Sequence, residues 1–164
     1  MRSRAAALAG SAAWFLIAPG TVAGLIPWLI SGWRFGQDFG ASGLLRAVGV
    51  LLILAGLAGL IESFARFAWH GRGTPAPVAP TTRLIVSGFY SYVRNPMYVS
   101  VIAVIVGEAL LFGQARLLVY AALAWLFFHL FVVAYEEPAM QRQFPADYEA
   151  YSRSVRRWLP RLRP

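Results

Sequence analysis

The chain has 164 residues, enough for one domain, with 59% hydrophobic and only 13% charged residues. An ordinary soluble domain carries roughly 25% charged residues, so this chain needs lipid around it. It has no cysteine, which excludes disulfides, thiolate catalysis and Cys-ligated metals, and its charge of +8 comes entirely from arginine.

Residues 5–30 form the first apolar run, preceded by Arg2 and Arg4. About 20 helical residues cross a hydrocarbon core, so the run is long enough to span. It is too long for a cleaved leader and lacks a clear small-residue cleavage site. Pro19 and Pro27 predict a kink, and Gly20 and Gly24 a small-xxx-small face for close helix approach. Residues 31–43 are a Gly-rich loop. Residues 44–69 form the second run, punctuated by Gly49, Gly56 and Gly59, with Glu62 spaced to pair with Arg66 at i,i+4.

Residues 70–96 make a long connection. Its first half, with three prolines and two glycines, cannot be regular helix. Its second half mixes apolar, aromatic and basic residues, as expected of a membrane-surface segment. Residues 97–113 and 115–135 form the third and fourth spans, a tight antiparallel hairpin with only Gln114 and Arg116 strongly polar between them. Glu108 reads as interfacial. From Glu136 onward the chain is amphipathic. Phe144, Tyr148, Tyr151, Val155, Trp158 and Leu162 follow the 3,4 spacing of one helical face, predicting an interfacial helix.

The fold class expected is all-α and integral to the membrane: a single domain over 1–164 with about four transmembrane helices and a C-terminal amphipathic helix. Twelve of the 15 arginines lie in the N-terminal stretch, in the second loop together with Arg66 at the end of the second run, and in the tail. The positive-inside rule then puts both termini and the second loop in the cytoplasm, in a multi-pass protein of the plasma (inner) membrane. Arginines placed between apolar runs suit topology and anionic headgroups, not nucleic acid. His70 and His129 are too far apart to argue for a metal. No internal repeat suggests a transporter.

On this topology, residues 72–96 and 136–164 meet at the cytoplasmic end of the hairpin, making Arg94-Asn95-Pro96 neighbours of Glu136-Glu137. Arg94 suits a carboxylate or phosphate, and the glutamates an amine or ribose hydroxyls. Tyr90, Tyr92 and Tyr98 can stack on a base or face a cation. Pro96 starts a helix whose N-terminus favours an anion. The competing explanation is that these residues are topology anchors and an aromatic belt. His129, two turns before Glu136 on the same face, is a packed residue or a ligand contact.

The run Gly88-Phe89-Tyr90-Ser91-Tyr92-Val93-Arg94-Asn95-Pro96-Met97-Tyr98 resembles the G-x-Y-x-x-x-R-[HN]-P-x-Y signature of the isoprenylcysteine carboxyl methyltransferase and phospholipid methyltransferase group. Glu136-Glu137 resembles its double Glu, and Phe144, Tyr148, Tyr151, Val155 and Pro160 its tail pattern. Asn95 matches the phospholipid and bacterial members, whereas the eukaryotic prenylcysteine enzymes have His. The resemblance covers about residues 72–162. It implies an S-adenosylmethionine-dependent methyltransferase whose hydrophobic or lipid-like acceptor enters from the membrane. It implies a cofactor site of Gly88, Tyr90, Arg94, Asn95, Pro96, Tyr98, His129, Glu136 and Glu137, with Arg94 and Glu137 as catalytic residues. No G-x-G-x-x-G follows a strand to offer a soluble cofactor fold instead. The alternative function is a non-enzymatic small membrane protein on a degenerate methyltransferase fold.

Overall fold

The computed structural model describes residues 17–39, 42–70 and 84–161, with side chains omitted at 67–70. The start of the first predicted span, the Pro-rich half of the long connection and Leu162 lie outside the described residues. The rest is helical: α1 (Ile17–Ser31), α2 (Gly43–His70), a 3-10 turn (Gly88–Ser91), α3 (Pro96–Phe112), α4 (Ala115–Gln143) and α5 (Pro145–Ser154). Two of these, over Gly43–Arg66 and Ala115–Gln143, are long and apolar enough to cross a membrane, and α1 and α3 are shorter apolar helices. Leu51, Leu54 and Ile61 on α2, and Val119, Leu123, Phe127 and Leu130 on α4, point outward into the surroundings. Such faces are stable only against lipid or another apolar surface.

Two prolines shape the helices in the same way. Pro27 would clash with the carbonyl of Ala23, and α1 widens there into a π turn over Thr21–Leu25. Pro138 would clash with the carbonyl of Ala134, and α4 widens into a π turn over Val132–Glu136. Near Pro27, where the sequence predicts a kink, the helix shows this π turn.

The α3 helix lies between α2 and α4. Glycine permits the α2–α3 approach: a Cβ at Gly107 would stand 2.7 Å from the Gly49 carbonyl oxygen, and one at Gly56 2.7 Å from that of Ser100. Leu60, Phe64, Val101, Val104, Ile105, Ala121, Ala124 and Phe128 fill the core. Gly24, by contrast, has nothing within 4 Å of its Cβ direction, so it makes no close helix approach among the described residues.

At the end away from the long connection, the loop after α1 is tied to the α3–α4 turn. The Phe112 carbonyl accepts from Gly36 N at 2.7 Å, and Asp38 Oδ2 accepts from Ala115 N at 2.8 Å, capping α4. Gly113, at φ +64°, closes the hairpin as a left-handed helix end. Glu108 corrects the sequence expectation. It is 6% exposed and lies inside the bundle, with Oε2 making no hydrogen bond. Its position one turn from the helix end suggests an interface, but its side of the helix faces inward.

The tail also differs from expectation. The fourth helix does not stop at residue 135; it runs to Gln143, because polarity ends a span without ending a helix. Phe144 then leaves helical geometry (φ −135°, ψ 63°), as a residue before proline tends to. The helix after it ends at Ser154, and Val155 is extended (φ −121°, ψ 131°). The predicted face thus holds over Phe144, Tyr148, Tyr151 and Val155, which share one buried cluster, and ends there, since Trp158 lies in a non-helical return strap.

Gly107→Val is expected to destabilise the bundle by about 2 kcal/mol or more by forcing α2 and α3 apart. Gly24→Val should stay within about 0.5 kcal/mol of the parent. Denaturant-titrated unfolding in mixed micelles measures both.

Candidate active site

The site begins on α2. Arg66 Nε donates to Glu62 Oε1 at 2.5 Å, the i,i+4 pair expected from sequence, and Arg66 Nη1 reaches Ser87 Oγ at 3.1 Å. Gly88 sits directly on this pair at φ +64°, where a Cβ would collide with both side chains. The chain then makes its 3-10 turn, closed by Ser91 Oγ donating to the Gly88 carbonyl at 2.6 Å. Tyr90 is buried in that turn. Burial, then the nearby Tyr151 phenol and Glu136 carboxylate, raises its phenol well above the ordinary value, so it stays neutral.

The strap lies across the end of this segment. Arg94 N donates to the Arg156 carbonyl at 2.9 Å, and Arg161 N to the Tyr92 carbonyl at 3.0 Å. Asn95 Nδ2 reaches the Arg157 carbonyl at 3.2 Å, so its side chain holds the strap and does not cap α3. Tyr151 Oη donates to the Tyr90 carbonyl at 2.7 Å. Burial raises the Tyr151 phenol above its usual range and keeps it a donor.

At the centre stands Glu137, whose side chain is 18% exposed. Its Oε1 accepts from Arg157 Nε at 2.7 Å and its Oε2 from Arg157 Nη2 at 2.8 Å, a bidentate fork. That bond strengthens the hold of Arg157 on its proton, raising its pKa further. Arg94 Nη1 lies 3.2 Å from Glu137 Oε1 and donates to Tyr148 Oη at 3.2 Å. The Arg94 side chain is 13% exposed, and its Nε is buried without a hydrogen-bond partner.

Beside this cluster, Tyr98 Oη donates to Glu136 Oε1 at 2.6 Å. The Tyr98 ring packs on Phe128, with centroids 4.6 Å apart, and on Trp158 at 6.5 Å. Trp158 Nε1 donates to His129 Nδ1 at 3.0 Å, and His129 stacks on Trp125. The π turn helps here. It turns the chain by a smaller angle per residue than the roughly 100° of an α-helix, so adjacent Glu136 and Glu137 serve neighbouring partners.

The structure therefore gathers Arg94, Asn95, Pro96, Tyr98, His129, Glu136 and Glu137 at one end of the hairpin. Gly88 stands apart on the Glu62–Arg66 pair, and Tyr90 is joined to the group through the strap-side Tyr151. Sequence reasoning missed Arg157, Tyr148 and Tyr151 as partners of this cluster. In the sequence Arg157 reads as a topology charge, and the tyrosines as one helical face and part of the family's tail pattern. The Arg156-Arg157-Trp158 run was the signal available: two cations and an indole beside a double glutamate. Among the described residues, no group of three or more His, Cys, Asp or Glu could hold a metal.

Tyr151→Phe removes the tie to the Tyr90 carbonyl and is expected to cost about 1 kcal/mol. Unfolding of the full chain in detergent would measure it.

A family model described as phospholipid methyltransferase matches residues 44–147, which contain α2, α3, α4, the 88–98 run and the Glu136-Glu137 pair. No curated protein and no solved structure matches the chain significantly. The chain belongs to the phospholipid methyltransferase family, whose members transfer methyl groups to lipid-like substrates.

Proposed function

We propose that the chain is an S-adenosylmethionine-dependent methyltransferase acting on a hydrophobic or lipid-borne acceptor at the cytoplasmic face of the membrane. The observation that carries this reading is the Arg94–Glu137 contact at 3.2 Å, made between the two segments that family resemblance marks as the cofactor site. The topology proposed with it has four spans. Helices α1 and α3, though short, complete the bundle with α2 and α4, and tilt or local thinning of the bilayer accommodates their length. Both termini then lie in the cytoplasm with most of the arginines. The strap and α5 lie at the interface, α5 as a short amphipathic helix.

The residues fit the cofactor by their chemistry. The buried, unpartnered Nε of Arg94 is a donor without an acceptor, suited to a carboxylate or phosphate. Glu136 and Glu137 suit an amine or ribose hydroxyls, and Tyr90, Tyr98 and His129 offer rings beside them. Asn95 and Pro96 fix where Arg94 leaves the chain and where α3 begins.

When bound, S-adenosylmethionine supplies a methyl group on a sulfonium, open to in-line attack. The chain's work is alignment and exclusion of water. Arg94 orients an anionic group of the cofactor or acceptor. Glu137 holds the opposite charge, and one of the two glutamates takes the proton of an amine acceptor. A carboxylate or thiolate acceptor needs no such base. The outward apolar faces of α2 and α4 leave the acceptor a route from lipid.

Calorimetric titration of detergent-purified protein with S-adenosylhomocysteine tests the reading. Arg94→Ala and Glu137→Ala should each weaken binding about tenfold or more, near 1.4 kcal/mol. No binding at millimolar ligand would sink the cofactor assignment, and unchanged affinity in both variants would move the site elsewhere.

A further inference from the structure

The strap places two side chains on the very acceptors a ligand would use. Arg157 occupies both oxygens of Glu137, and Trp158 donates to His129 Nδ1 while its ring packs against Tyr98 and Trp125. A carboxylate bound bidentately by a guanidinium has its charge paired and one lone pair of each oxygen taken, so a ligand's ammonium must compete with Arg157 for it. The indole N–H has no second role, since Trp is a donor only.

The strap is fixed at two points on either side of these residues. Arg156 is held through its carbonyl by Arg94 N, and Arg161 by Tyr92 O and, through Nε, by the Ser91 carbonyl at 2.7 Å. Between the anchors, residues 157–160 form a short non-helical stretch ending at Pro160, with Leu159 exposed. These anchors use backbone groups of 91–94, and Asn95 Nδ2 also holds the Arg157 carbonyl at 3.2 Å, so the main chain at 157 is tied down and only side chains are free to swing. The two inserted side chains can therefore leave while the strap stays attached. The Arg157 side chain is one-third exposed, so water can solvate its charge as it withdraws.

We infer that the Arg157 and Trp158 side chains form a flap that competes with the ligand, Arg157 standing on Glu137 and Trp158 on His129 until the ligand displaces them while the strap backbone stays in place. The flap rests on the cofactor reading above and adds to it that Glu137 and His129 are released together. The binding-competent fraction is then the fraction with the flap withdrawn, and apparent affinity falls by that fraction. The family match ends at residue 147, so the flap lies beyond it.

Titration of the full-length protein in detergent with S-adenosylhomocysteine, for the parent, R157Q and W158F, tests the flap. R157Q removes the fork, and W158F keeps the ring but removes the N–H, so either suffices if the other does not fold. R157Q is expected to bind about tenfold tighter and W158F about threefold tighter, as the competent fraction rises. Affinity equal to or weaker than the parent in the folded variants overturns the flap, because Arg157 and Trp158 are then fixed walls or ligand contacts. Failure of the parent and both variants to bind overturns the cofactor reading itself, and the flap with it.

Discussion

A single carboxylate held between two guanidiniums organises the polar end of this molecule. Glu137 joins Arg94, from the connection before α3, to Arg157, from the returning strap, while α4 supplies the carboxylate itself. Three chain segments distant in sequence are thus fixed to one another by charge. The rest of the bundle is apolar, and apolar packing has little preference for one register over another in lipid. A partly buried ionic cluster adds that preference, because a lone charge there would be costly.

The remainder of the architecture serves this junction. Glycines bring α2 and α3 into backbone contact, so the Glu62–Arg66 pair stands beneath Gly88 and sets the course of the 84–95 segment. The Gly113 turn and the Asp38 cap fix the far end of the hairpin, and so the relative height of α3 and α4. The π turn before Pro138 then aims Glu136 at Tyr98 and Glu137 at the arginines. Rigidity at one end of the bundle is converted into geometry at the other.

Much of this was legible in the sequence because lipid imposes simple rules. Apolar runs at 44–69, 97–113 and 115–135 lie within a residue or two of where the helices α2 and α3 begin and end and where α4 begins. The proximity of Arg94 to Glu137 follows from hairpin topology alone. The 3,4 spacing at 144, 148, 151 and 155 does mark one buried face, but nothing in it shows where the helix stops. The helix that starts at Pro145 ends at Ser154, and Trp158 reaches the bundle from the strap beyond it. Glu108 shows the same limit, since spacing along a helix does not reveal which side its neighbours cover. Arg157 was invisible as a partner because its contact depends on the chain folding back, which no local pattern encodes.

In the proposed function this junction holds a methyl donor for a lipid-like acceptor. The most direct test incubates the purified protein with methyl-labelled S-adenosylmethionine and a membrane lipid extract, then measures label in the organic phase. Label is expected in the extracted lipid with the parent protein and is expected to be lost with Arg94→Ala. No transfer by the parent, or equal transfer by the variant, would contradict it.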